Sequence, residues 1–307
     1  MKLKLPALQA LQKAIFLSAT SVFFIVLMNA FAKVVTTEQS VISAIFYRAL
    51  VGLFLTAGIM MLVHKKLVIK TTRMKDHIIR CFVGNIGLSL IFWAYSLMPM
   101  ADVTAIMFLA PIIVTVLSIF ILKEQVKATR WIAVIAGLIG VSIVIGPRLD
   151  MGWSALGVGV TLAATVTVSL VAVMVRELGK TEDPLMSVLF FFFFGACFTF
   201  PFMLFWGEGL TNDMLLPLVT ASGAAVVAQI AKTEAATIAE ASQLGPIQYT
   251  AIIWSTLFGF LLFQETPAPT TFIGAGIIIA ANIYLLWAER DKKLKKLEAE
   301  AVPTQLL

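Results

Sequence analysis

The chain has 307 residues, 60% of them hydrophobic and only 13% charged, far from the soluble balance of about half apolar and a quarter charged, which excludes a soluble globular protein. Apolar runs of roughly 18 to 25 residues recur along nearly the whole length, each able to cross a hydrocarbon core of about 30 Å as a helix. The net charge of +6 does not point to nucleic acid, because the basic residues gather in alternate loops.

Ten spans are expected, near residues 14–32, 41–63, 78–98, 102–122, 131–146, 153–175, 184–206, 214–232, 239–263 and 270–288. The runs are continuous rather than alternating, so helices and not barrel strands satisfy the backbone in lipid. Connections are short, which puts the function inside the bundle. With the N-terminus inside, twenty Lys and Arg fall on inner segments, from Lys2, Lys4 and Lys13 to Lys295 and Lys296, against Lys33 and Arg148 outside. That asymmetry predicts two cytoplasmic termini.

The first span comes after three lysines and ends in Ala30-Phe31-Ala32, a pattern shared with cleaved signals. Its length argues for a retained helix. Span two carries Arg48, the most costly residue within the apolar runs, at roughly 2.5 to 3.5 kcal/mol on insertion scales. It reads either as a counter-charge for a substrate carboxylate or phosphate, or as a structural lock onto helix ends or an acid such as Asp102. His64 and His77 lie in the basic loop between spans two and three, without metal-ligand spacing. Cys81 and Cys197 read as small buried hydrophobes.

Span three sets Asn85, Ser89, Phe92 and Ser96 at helical spacing. Span four opens with Met-Ala-Asp102-Val-Thr and continues as a stripe of Thr104, Phe108, Pro111, Thr115 and Ser118. Within spans five and ten, Gly137, Gly140, Gly274 and Gly276 allow tight helix packing. The five phenylalanines Phe190 to Phe194 of span seven suit lipid or packing partners. Span eight places Ser222, Gln229 and Lys232 on one side. In span nine, Ala241, Gly245, Gln248, Ser255 and Gly259 form one small polar face, with Tyr249 and Trp254 beside it and Glu240 at its mouth. Trp93, Tyr95, Tyr249 and Trp254 are aromatic candidates for stacking on a planar or cationic substrate. Pro111 and Pro246 are candidate gating bends, since each removes a backbone hydrogen bond.

Spans four and nine begin alike: an acid (Asp102, Glu240), a proline, an apolar run, then Glu124 or Glu265 and a glycine-bearing span. The chain thus divides into two units of five helices, residues 14–147 and 148–288, flanked by a cytoplasmic N-terminus (1–13) and a charged tail (289–307). Five is odd, so the second unit enters the membrane inverted, and a site is expected near the midplane where the halves meet.

The residues MNAFAK with Asn29 and Lys33, Phe46-Tyr47-Arg48, MADVTAIMFLAP with LKE, and GPIQYTAIIWSTLFGFLLFQE with FIGAGIII carry a resemblance. Over residues 14–288 the chain resembles the drug/metabolite transporter superfamily, and within it the ten-helix EamA-type permeases. The resemblance implies an all-α integral membrane protein with two inverted five-helix repeats, in the bacterial inner membrane. It also implies outward or exchange transport of a small organic metabolite such as an amino acid, without ATP or any other cofactor. Asn29, Arg48, Asn85, Tyr95, Gln229, Gln248, Tyr249 and Trp254 are the expected substrate contacts, and Asp102, Pro111, Glu240 and Pro246 the expected gating or coupling residues. The expected partners are the metabolite and the lipid bilayer, with the protein a monomer or homodimer. Uptake of a vitamin or nucleoside conjugate, riboflavin-like or S-adenosylmethionine-like, is the alternative cargo. A channel would show linear flux. An enzyme is disfavoured, because no HExxH, GxSxG or phosphate-loop pattern occurs, and a cargo-free assembly factor leaves the internal polarity unused.

Overall fold

The computed structural model describes residues 5–122, 128–149, 155–178, 181–238 and 241–301. Among them the chain is helical: α1 (Leu5–Glu38), α2 (Val41–His64), α3 (Met74–Leu97), α4 (Met100–Met107), α5 (Ala110–Leu122), α6 (Ala128–Leu149), α7 (Ala155–Leu178), α8 (Pro184–Trp206), α9 (Asn212–Ile238), α10 (Ala241–Gln248), α11 (Ala251–Phe263) and α12 (Pro269–Ala301). Seven stretches have the length and hydropathy of a membrane span, and shorter apolar helices at Met100–Val114, Trp131–Gly146 and Pro269–Leu285 occupy the places of the other three.

Twelve helices arise from ten spans because spans four and nine are each cut in two. Both cuts have the same form: two turn residues, Phe108-Leu109 in one and Tyr249-Thr250 in the other, with a further helix beyond. Pro111 sits just after the first cut, in the opening turn of α5, where a missing N–H costs nothing. Pro246 lies inside α10, ahead of the second cut at Tyr249-Thr250. The expectation of one continuous polar face per span fails here, because a turn of different pitch rotates the downstream helix about its axis. Thr104 and Phe108 are buried but Pro111 is exposed, and Ser255 and Gly259 are buried but Gln248 is exposed. Glu124 and Glu240 lie outside the described residues, as do the side chains of Thr115, Ser118, Ala241 and Gly245.

The inversion of the halves is visible in the packing. The main contacts are α1 with α9, α7 with α3, α2 with α8 and α6 with α12. Exchanging each helix of the first half (α1–α6) for its counterpart in the second (α7–α12) turns the first pair into the second and leaves the other two unchanged. The axis of that exchange passes between α6 and α12. A Cβ at Gly140 would sit 2.8 Å from the Gly274 carbonyl oxygen, and one at Gly274 would strike the Gly140 carbonyl in return. Gly137 packs under Ile112 and Leu109, whereas Gly276 faces open space and makes no such approach.

The same exchange relates two loop clasps. At the end away from the termini, Ser40 N–H donates to Glu208 Oε2 (3.0 Å) and Gln39 Nε2 to the Gly209 carbonyl (3.0 Å). At the end that carries the termini, His64 meets Asp183 (3.5 Å), His77 meets Glu182 (3.4 Å) and Arg73 reaches Thr181. Ser40 and Asp183, counterparts in the two halves, are the side-chain N-caps of α2 and α8, supplying acceptors for amides that the helix leaves free. The two histidines are therefore helical residues holding loops together, not loop residues.

Candidate functional site

At the end away from the termini the two halves are tied by a buried ion pair. Lys33 lies inside α1 rather than in an outer loop, and its ammonium donates to Glu265 Oε1 (2.5 Å) and to the Met98 carbonyl (3.1 Å), with the Phe263 ring 5.0 Å away. Glu265 Oε2 accepts the N–H of Met100 (2.8 Å), one of the amides that the start of α4 leaves without a helical partner. Local structure aims the carboxylate: α11 ends in Gln264 at φ 55°, and the N–H of Glu265 turns back to the Gly259 carbonyl (3.0 Å). A side chain at position 259 would meet Glu265 Oε2 at 2.8 Å, so the glycine makes room for the acid. The side chains of Lys33 and Glu265 are 9% and 15% exposed. The pair across α1 and α9 at the opposite end, Lys13 and Glu234, is 59% and 45% exposed.

Asp102 is fully buried in the first turn of α4 and accepts a hydrogen bond from Thr271 at the start of α12. The expected acid lock on Arg48 is not found among the ion pairs of the described residues.

The two helix breaks face each other across the interior. Phe108 and Tyr249, one in each break, meet edge to face with centroids 5.3 Å apart. Asn282 of α12 donates to the Phe108 carbonyl (2.9 Å) and Ser169 of α7 to the Ala110 carbonyl (3.1 Å), which satisfies backbone groups that lipid cannot. Close by, Asn29 of α1 donates to the Tyr95 hydroxyl (3.2 Å), both residues being buried. Asn85 donates to the Cys81 carbonyl while its Oδ1, facing Gly195, is unpartnered.

The cationic part of the interior is built by one device used twice. Arg48 is followed four residues later by Gly52, and Arg80 by Gly84, so each pair shares a helix face. A Cβ at Gly52 would lie 2.7 Å from Cζ of Phe192, and one at Gly84 would lie 2.9 Å from Cε2 of Phe191. The glycines thus admit two α8 rings, and the arginines lie over them: Arg48 is 5.3 Å from the Phe192 centroid, Arg80 4.9 Å from that of Phe191. The phenylalanine run, expected to suit lipid or packing partners, does both, with Phe190 and Phe192 buried and Phe193 exposed.

The remaining expected contacts are spread out. Gln229 is half-buried on α9; Gln248 is exposed, with Nε2 3.4 Å from Ser18 Oγ; Trp254 packs edge to face on Phe23 at 5.0 Å. Trp93 and Lys232 are exposed, and Cys197 is exposed rather than buried. Sequence reasoning missed the roles of Lys33, Arg80 and His77. An Arg-x-x-x-Gly spacing in two spans was the signal available for Arg80. A cleft of about 200 Å³ opens between α8 and α9 near the terminal end, lined by Leu185, Val188, Ile230 and Glu234 among others. Val188 packs with Phe192, so the cleft borders the arginine-bearing interior.

Known proteins share this design. Residues 12–146 and 155–287 each match the model of the EamA-like transporter family. An S-adenosylmethionine uptake transporter of Rickettsia prowazekii is 23% identical over 76% of this chain and 78% of its own. A riboflavin transporter of Vibrio cholerae is 25% identical over 74% and 76%. A pseudopaline exporter of Pseudomonas aeruginosa is 23% identical over 93% and 99%. One solved crystal structure superposes with a TM-score of 0.62 over 91% of this chain and 98% of its own at 17% identity, a likeness that speaks to the fold alone. With both halves matched, the chain belongs to the EamA-like transporter family and is a membrane transporter of small molecules rather than an enzyme.

Proposed function

We propose that the protein is a secondary carrier that moves a small organic metabolite, amino-acid-like or heterocyclic, by alternating access between its two halves. The observation that carries this reading is the combination of two facing helix breaks with unequal ends: a buried latch at one end and a cleft at the other. Inverted repeats with discontinuous helices hold their substrate near the midplane and expose it alternately. The site lies around Asn29, Arg48, Asn85, Tyr95 and Tyr249, with Gln229, Gln248 and Trp254 at its margins. Pro111 and Pro246 set the bends, and Lys33 with Glu265 closes one mouth. Asp102 holds a helix start beside one gate, and Glu240 keeps the equivalent role expected of it from the sequence. The basic end faces the cytoplasm of a bacterium, so the latched end faces outward.

Export or exchange of an amino-acid-like compound is the favoured direction, in keeping with the exporter that covers almost the whole chain. Uptake of a vitamin or nucleoside conjugate is the second reading, favoured by the riboflavin and S-adenosylmethionine relatives. Reconstitution in liposomes tests the carrier: flux that saturates and is accelerated by unlabelled solute on the far side supports it. Linear flux with no counterflow would mark a channel instead.

A further inference from the structure

Arg48 is 2% exposed, and its Nε and Nη2 have no hydrogen-bond partner. No acid pairs with it among the described residues. Its guanidinium carbon lies within 6.0 Å of three ring centroids, those of Phe92, Phe191 and Phe192. Rings soften the loss of hydration but bring no negative charge. A buried, uncompensated cation is among the most expensive groups a protein can hold, and inside a membrane such a residue marks a functional site. The two idle donors have a geometry of their own. Nε–H and Nη2–H lie along one edge of the planar group and form the fork that takes a carboxylate or phosphate with two parallel hydrogen bonds.

Arg80 repeats the arrangement nearer the terminal end. It lies over Phe191, donates through Nη1 to the Ser187 carbonyl and leaves its own Nε free. Both guanidiniums are within 6.0 Å of the Phe191 centroid. The two cations thus share one ring, Arg80 standing nearer the terminal end.

We propose that Arg48 is the anion-recognition point of the transport site, with Arg80 on its approach, so that the cargo carries a carboxylate or phosphate group. This rests on the carrier reading for its transport part but not for its binding part. A neutral solute would leave the buried charge uncompensated in every state of the cycle, whereas an anion compensates it only when bound. The empty protein then holds the unpaired cation, and the loaded one does not.

The test is a thermal-shift panel on the purified full-length protein, using matched pairs: amino acids with their carboxamides, S-adenosylmethionine with its methyl ester, riboflavin with riboflavin 5′-phosphate, and sugar phosphates with the parent sugars. Stabilisation is expected only from the member bearing the free carboxylate or phosphate, and the pair that responds tells which of the two is read. Arg48→Gln should raise the melting temperature of the empty protein and weaken binding by about tenfold or more. An arginine with a merely structural role would do the reverse, lowering the melting temperature and sparing affinity. If Arg48→Gln does not accumulate in the membrane, Arg48→Lys decides: it keeps the charge without the fork, and unchanged affinity would overturn the proposal. Equal stabilisation by both members of a pair, or by no member of the panel, would overturn it as well. Anion binding without flux in liposomes would refute the carrier reading and leave this one standing. Saturable flux of a neutral solute would do the opposite.

Discussion

Glu265 and Lys33 show how much a single pair can carry when it is withdrawn from water. Replacing Glu265 by Gln leaves a buried ammonium without its counter-charge, a loss of about 3 to 5 kcal/mol in buried pairs. We expect a clear fall in melting temperature for Glu265→Gln and for Lys33→Met alone, and recovery in the double variant Lys33→Met/Glu265→Met. A double variant no more stable than the singles would mean that the pair does not act as a unit. Gly259→Ala should mimic part of the defect, because the added methyl presses on the carboxylate oxygen 2.8 Å away. Lys33 was expected in an outer loop because it stands near the end of an apolar run. That it is paired depends on a residue 232 positions away, which no local pattern encodes.

At the scale of elements, the broken helices are where motion and chemistry coincide. Pro246 has no N–H to give inside α10, and a helix interior disfavours proline by about 3 kcal/mol relative to alanine. Pro246→Ala should therefore raise the melting temperature and slow turnover, by letting α10 and α11 straighten toward one rod. Turnover unaffected by Pro246→Ala would remove the bend from the mechanism. Tyr249→Ala removes the ring that meets Phe108 across the two breaks, and we expect it to cut transport at equal membrane abundance; normal flux would take Tyr249 out of the site. Two prolines within apolar runs announced that spans four and nine would bend. The position of the breaks was not legible, because Pro111 comes after its break and Pro246 precedes its own. At the first break a freed carbonyl, that of Phe108, is satisfied from another helix by Asn282 at 2.9 Å, a partner the local sequence does not announce.

At the scale of the whole molecule, one end is closed by a pair shielded from solvent while the other is spanned by the solvated Lys13–Glu234 contact. Surface pairs contribute little, about 0 to 1 kcal/mol, so the two ends resist opening unequally. Ala101, buried in α4 beside Met100, lies beneath the latch. A cysteine placed there should react slowly with a membrane-impermeant maleimide in the otherwise cysteine-free protein, and several times faster when Glu265→Gln is added. Equal rates would show that the latch does not govern access from that end.

The sequence by itself determined the class, the ten apolar segments and the opposed insertion of two halves, and its resemblance named the family. These properties are sums over neighbouring residues: hydropathy accumulates along a run, and an odd number of spans inverts the next unit of the chain. Only the tertiary structure decided which buried charges are compensated. Lys33 finds Glu265 and Asp102 finds Thr271, while Arg48 lies over rings and, among the described residues, has no acid beside it. The physical reason is that the energy of a charge in a low-dielectric interior depends on what stands within a few ångströms of it, and those neighbours come from distant parts of the chain.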